Sequence, residues 1–294
     1  GTDSTSGNTI FGHLAGNVIE AGGSDNLCMG HKAGVGITTG TDNVFIGSEV
    51  GKIHTTTTHN VGIGSGVMTL GNATGSTHCV AIGFEAMKTT AVGDYEVAIG
   101  YQALKAGGNG KNVCIGFEAG MSVTHDSNIF IGRSAGKLAN GSNITHTVAI
   151  GTGVLNSLLT GAHNTAFGGN DVMASCTTGT DNVAVGYQTA RYVQTAHRNV
   201  WVGMEAGLGS DGALLSGTDN VCVGYRAGYV VQGASNYNTL LGSSAGNLIT
   251  TGISNTLIGY EADADAATDS YQTRIGHYGA LRYMTAQLDM SGDE

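Results

Sequence analysis

Asp42-Asn43-Val44-Phe45-Ile46-Gly47 is the stretch from which the architecture is read. Its pattern is Asn, apolar, variable, apolar, Gly, and it returns along the whole chain. The aligned glycines are Gly12, Gly30, Gly47, Gly64, Gly83, Gly100, Gly116, Gly132, Gly151, Gly168, Gly186, Gly203, Gly224, Gly242, Gly259 and Gly276, sixteen copies at steps of 16 to 21 residues. A period in that range belongs to a solenoid, in which each repeat buries its apolar side only by stacking on its neighbours.

The residue before the glycine is apolar in every copy, and two residues earlier stands Val44, Val61, Val80, Val97 or an equivalent Val, Ile or Thr in most copies. Branched residues two apart share one face of a strand. The spacing therefore predicts a short strand per repeat, with the flanking pair facing the core. The residue between them runs from Gly62 to Phe45 and Trp201, a tolerance that predicts an outward or subunit-facing position.

Four residues before the glycine, twelve of sixteen copies carry Asn, among them Asn26, Asn43, Asn60, Asn182 and Asn220. Asn accepts left-handed turn geometry and bonds nearby backbone, so these are expected as stacked structural corners. The glycines, such as Gly30, Gly47, Gly64, Gly186 and Gly224, are expected to need a positive φ or a close backbone approach at a second corner. The third residue after the glycine is usually Ala (Ala33, Ala86, Ala103, Ala119), which implies tight apposition.

The expected fold is thus all-β: a parallel β-solenoid of about sixteen coils over residues 1–276, with 277–294 as a C-terminal cap or exit segment. Coil steps of unusual length at Gly64–Gly83, Gly132–Gly151 and Gly203–Gly224 predict protruding loops. The chain opens at Gly1 in mid-repeat, as a piece or a processed form of something longer would.

Composition narrows the function. A net charge of −10 repels a phosphate backbone, so nucleic acid is not an expected partner. No run of eighteen apolar residues is present, and membrane insertion is not expected. Five cysteines without a CxxC pair read as reduced filler. No cofactor motif occurs.

Three side-chain sets carry possible chemistry. Phe84, Tyr101 and Phe117 follow the glycine on three consecutive coils and form a candidate aromatic surface for sugar rings. His59 with His78, and His146 with His163, fall on successive coils just before the Asn position. They are weak metal candidates, because the same slot also holds Asp, Tyr and Arg in other copies. Glu85 and Glu118, two coils and so about 9.6 Å apart, lie near the spacing of an inverting glycosidase pair. The Glu recurs at the same slot in Glu49, Glu205 and Glu261, which reads as a solvated face, and the chain is not expected to be an enzyme.

The units DNVFIGSEVG, KNVCIGFEAG, DNVAVGYQTA and SNTLIGYEAD resemble the head repeats of YadA-type trimeric autotransporter adhesins. They resemble more closely the repeats of bacteriophage tail fibres that precede an endosialidase-type intramolecular chaperone. The resemblance implies a left-handed β-roll or β-helix in an intertwined or side-by-side homotrimer. It also implies a place on a virion or at a cell surface, as rigid spacer and as binding surface for a cell-surface glycan or outer-membrane receptor, joined to further fibre or virion proteins. Two alternatives stand beside it: a tailspike-like polysaccharide depolymerase, and a purely structural extracellular filament or surface-layer protein.

Overall fold

A computed structural model describes residues 2–3, 6–69, 76–89, 93–141, 143–210, 216–231, 233 and 235–277. The loops expected at Gly64–Gly83 and Gly203–Gly224 fall partly outside these residues, and the C-terminal segment beyond His277 lies wholly outside them. The chain is an all-β parallel solenoid. Sixteen strands, from Asn8–Phe11 to Thr273–Ile275, pair in sequence order, each parallel to the next and in register at the motif. Thr2–Asp3 adds one antiparallel pairing at the first strand. Fifteen steps of about 4.8 Å give a stack of roughly 70 Å.

Two expectations are corrected. The middle residue of each strand, not the flanking pair, is the core: Cys28, Phe45, Ala81, Ala98, Cys114, Phe130, Ala149, Ala184 and Leu240 are fully buried. The flanking Val and Ile residues are half-exposed on the opposite face, and Phe11, Phe167 and Ile275 are exposed. Strand alternation allows either assignment; packing inside the coil decides it. The wide size range at the middle position is absorbed within the same turn. Where the strand supplies a large residue, the position six residues later is Gly: Phe45 faces Gly51, Phe130 faces Gly136, Trp201 faces Gly207, Leu240 faces Gly246. A Cβ on any of these four glycines would collide with that side chain. Where the strand supplies Gly62, Ala81, Ala98 or Ala149, the facing wall supplies buried Met68, Met87, Leu104 or Leu155. These eight turns thus fill a similar volume from one wall or the other. The alanines three after the glycine are buried as the repeat pattern implied.

The second correction concerns the asparagines. They do not occupy the left-handed corner; the residue before each does, with Asp25, Asp42, His59 and Asp181 at φ of 57°, 59°, 59° and 58°. The asparagine is buried and its amide links turn to turn. Asn43 Oδ1 accepts from the Asn60 backbone N–H at 3.1 Å and from Asn60 Nδ2 at 3.2 Å, while Asn43 Nδ2 donates to Asn26 Oδ1 at 2.9 Å and to the Thr57 carbonyl at 2.7 Å. Of the motif glycines, all but Gly168 have a positive φ, and all but Gly276 lie too close to the next turn's backbone for a Cβ. Gly47 has φ 126°, and a Cβ there would run into the carbonyl oxygen of Gly64 one turn on.

Candidate binding surface

Because the chain turns at the motif glycine, the residue after it stands on the surface at the same place in each turn. Phe84, Tyr101 and Phe117 stand there in one column, 40 to 48% exposed. Their ring centroids are 5.5 and 4.9 Å apart with interplanar angles of 12° and 9°. The structure brings the three together as the sequence implied, but face to face. The inner faces are taken up by the neighbouring rings, so the column offers solvent its ring edges and the two end faces. His13 and His31 form a second stack in the same slot, 5.5 Å apart and nearly parallel.

Beside the rings runs a charged column. Glu85 pairs with Lys88, with Lys105 at 2.9 Å, and accepts from Gln102 Nε2 at 2.8 Å. Glu118 pairs with Lys137 at 2.7 Å, and Glu49 with Lys52 at 3.3 Å and Lys32 at 3.9 Å. These lysines, five residues after the glycine in Lys52, Lys88, Lys105 and Lys137, were legible as a recurrent offset. Hydrogen bonding from Lys88 and then Lys105 holds the Glu85 carboxyl well below the usual range, at about 2. A glycosidase acid is shifted the opposite way, toward neutrality, whereas Glu85 is held as a carboxylate by its lysine partners.

The histidines just before the asparagine position also stack. His59 and His78 lie 4.8 Å apart at 7°, with Tyr95 stacked next on His78 at 5.1 Å, whereas His146 and His163 are 5.5 Å apart and tilted by 39°. Parallel imidazoles one turn apart do not converge on a common point between their ring nitrogens. Asp42 stands 3.8 Å from His59 Nε2, and Asp181 stands 3.1 Å from His163 Nδ1. Among the described residues, no three or more His, Cys, Asp or Glu side chains gather as a metal centre. The five cysteines are buried and unpaired. Burial pushes the Cys79, Cys176 and Cys222 thiols up to about 12, which makes them inert packing.

One buried group escaped the sequence reading. Glu96 takes the asparagine position in its turn and is fully buried. Its Oε1 accepts from Gly110 N at 2.8 Å and Asn112 Nδ2 at 3.2 Å, and its Oε2 accepts from Asn112 N at 3.0 Å. In other turns the asparagine amide donates to a carbonyl of the following turn, as Asn26 does to Gly40; the carboxylate instead accepts from an N–H of the following turn, that of Gly110. The Gly107-Gly108-Asn109-Gly110 run was the available signal.

Comparison of the chain with protein-family models and with curated proteins finds no match, so the reading of function rests on the fold and on these surfaces.

Proposed function

We propose that this chain is a rigid segment of a phage tail fibre or comparable trimeric adhesin, assembled as a homotrimer and serving as spacer and host-surface binding surface. The observation that carries the reading is the apolar face on the outer side of the sheet. The residue before the motif glycine is apolar in all sixteen turns, and its partner two residues earlier is Val, Ile, Leu or Thr. Two such rows over sixteen rungs cover roughly 500 Å2 of nearly uninterrupted apolar surface, at the scale where monomers cease to leave such patches open. Strands apolar on both faces are what sheets covered on both faces require.

A stripe that runs the full length of the column is covered along its full length by a parallel copy of itself. Closed symmetry about the long axis gives every chain the same environment. Three chains carry three times −10, or −30, which keeps such a fibre soluble and repels nucleic acid. The exposed aromatic and charged columns remain as the receptor-facing surface, and the setting is a virion or a cell surface.

The test is adsorption of the labelled full chain to a panel of bacterial strains, with parallel assay of the supernatant for released oligosaccharide. Saturable binding to a subset of strains, competed by unlabelled protein and without sugar release, is the expected result. Sugar release would move the chain to the depolymerases, and no binding to any strain would leave a structural filament.

A further inference from the structure

The ring column in the slot after the motif glycine has a gap. His13 and His31 stack, Ser48 and Ser65 follow, and then come Phe84, Tyr101 and Phe117. His31 and Phe84 are three rungs apart, about 14 Å. Between them lie two rungs whose side chains stop at a hydroxyl. The gap is therefore a notch with an imidazole at one end and the free outer face of Phe84 at the other.

Its floor carries regular strand pairing that most turns lack in this slot. Of the sixteen parallel strands, only a few continue past the motif glycine, and Val44–Ser48, Val61–Ser65 and Val80–Phe84 are three consecutive ones. Their pairing extends through Gly47 with Gly64 and Ser48 with Ser65, then Gly64 with Gly83 and Ser65 with Phe84. Neither serine hydroxyl makes a hydrogen bond within the described residues, and both side chains are exposed.

The rim is cationic on an acidic chain. Lys32 and Lys52 share Glu49, and Lys88 and Lys105, the latter reaching back from the Tyr101 turn, share Glu85, a local surplus of two positive charges where the whole chain carries −10. An aromatic face, free hydroxyls and surplus ammonium groups describe the ligand. The face takes the apolar side of a pyranose ring, the hydroxyls exchange hydrogen bonds with its hydroxyls, and the ammonium groups take a carboxylate.

We propose that the two serine rungs between His31 and Phe84 form a binding notch for an acidic glycan, with a pyranose stacked on Phe84 and its carboxylate met by the bordering lysines. This deepens the adhesin reading above and rests on it. It also replaces the ring column itself as the sugar platform, since the inner faces of that column are occupied.

The experiment uses the full chain in its native assembly on an array of uronate-bearing, sialate-bearing and neutral oligosaccharides, with strain adsorption run in parallel. Ser65→Phe is the diagnostic variant. It continues the ring column at an exposed position, so the fold is kept while the notch is filled; a thermal melt checks this, and Phe84→Ala removes the stacking wall as a second route. The expected result is selective binding of acidic over neutral glycans, weakened by salt and reduced at least tenfold by either variant, with Tyr225→Ala without effect. Equal binding by wild type and Ser65→Phe, or equal binding of neutral and acidic sugars, would overturn the notch. Strain adsorption that persists while no acidic glycan binds would also overturn it and leave the adhesin reading standing. Loss of both adsorption and glycan binding in the wild type would remove the two together.

Discussion

At the residue scale, the buried asparagine is the fixed point of each turn. Its amide supplies acceptors and donors to turns above and below, and removing one leaves buried backbone groups without partners, at about 1–3 kcal/mol each. Glu96 is the charged residue among the four turns that carry no asparagine there. Three N–H donors favour its ionised form, yet removal from water dominates and pushes its pKa up to about 7, with the charge of Asp126 adding to the rise. A carboxyl whose folded pKa lies above its unfolded value gives stability that is complete below pH 4.5 and is lost as pH rises toward 7. The size is roughly 3 kcal/mol. His54 acts in the other direction: burial pushes its pKa down to about 4, so its contribution is lost as pH falls from 6.5 toward 4. The two nearly offset in the wild type. A Glu96→Gln variant separates them: the wild-type melting temperature minus that of the variant should fall steadily between about pH 5 and about pH 8. A difference that stays constant or rises would show that Glu96 does not titrate in this window.

At the element scale, a turn is defined by a sum of two side-chain volumes, one from the strand and one from the wall six residues later. Ala98→Leu overpacks against Leu104 and should cost about 1–3 kcal/mol, and Leu104→Gly opens a cavity and should cost about 2–4 kcal/mol. The double variant reproduces the Leu240 and Gly246 pairing and should cost about 2 kcal/mol less than the sum of the single variants, or better. Denaturant unfolding of the four proteins measures this, and simple additivity would contradict it. The period, the strand positions, the buried alanines and the glycine corners were all legible in the sequence, because each is a repeated residue type at a fixed offset. The facing of the strand was not. Uniform apolarity points Val44 and Ile46 to the core, and the variable row points Phe45 outward; both inferences fail for one physical reason. Uniformity marks the face that meets no partner within the turn. Variability marks the face whose neighbour varies in compensation, and Gly51, Met68 and Leu104 already carried that signal. The Phe84 column was legible by position, but the stacking of its rings, which decides what they can bind, depends on side-chain orientation.

At the scale of the whole molecule, both faces of a sixteen-stranded parallel sheet are apolar, and one chain has only enough wall to cover one of them. The inner face is closed by the second half of each turn. The outer face, from Leu27 and Met29 through Ile82 and Ile99 to Ile258, is left for further copies of the chain to close in the proposed trimer. A charge placed in that stripe should therefore act on assembly before it acts on the turn: Ile82→Glu with Ile99→Glu should release chains that retain their β-structure by circular dichroism. The most direct test is the mass of the full chain in solution by light scattering at micromolar concentration. A homotrimer gives a single species near three times 29.7 kDa, about 89 kDa; a stable, monodisperse species at 29.7 kDa with the stripe open to water would contradict it.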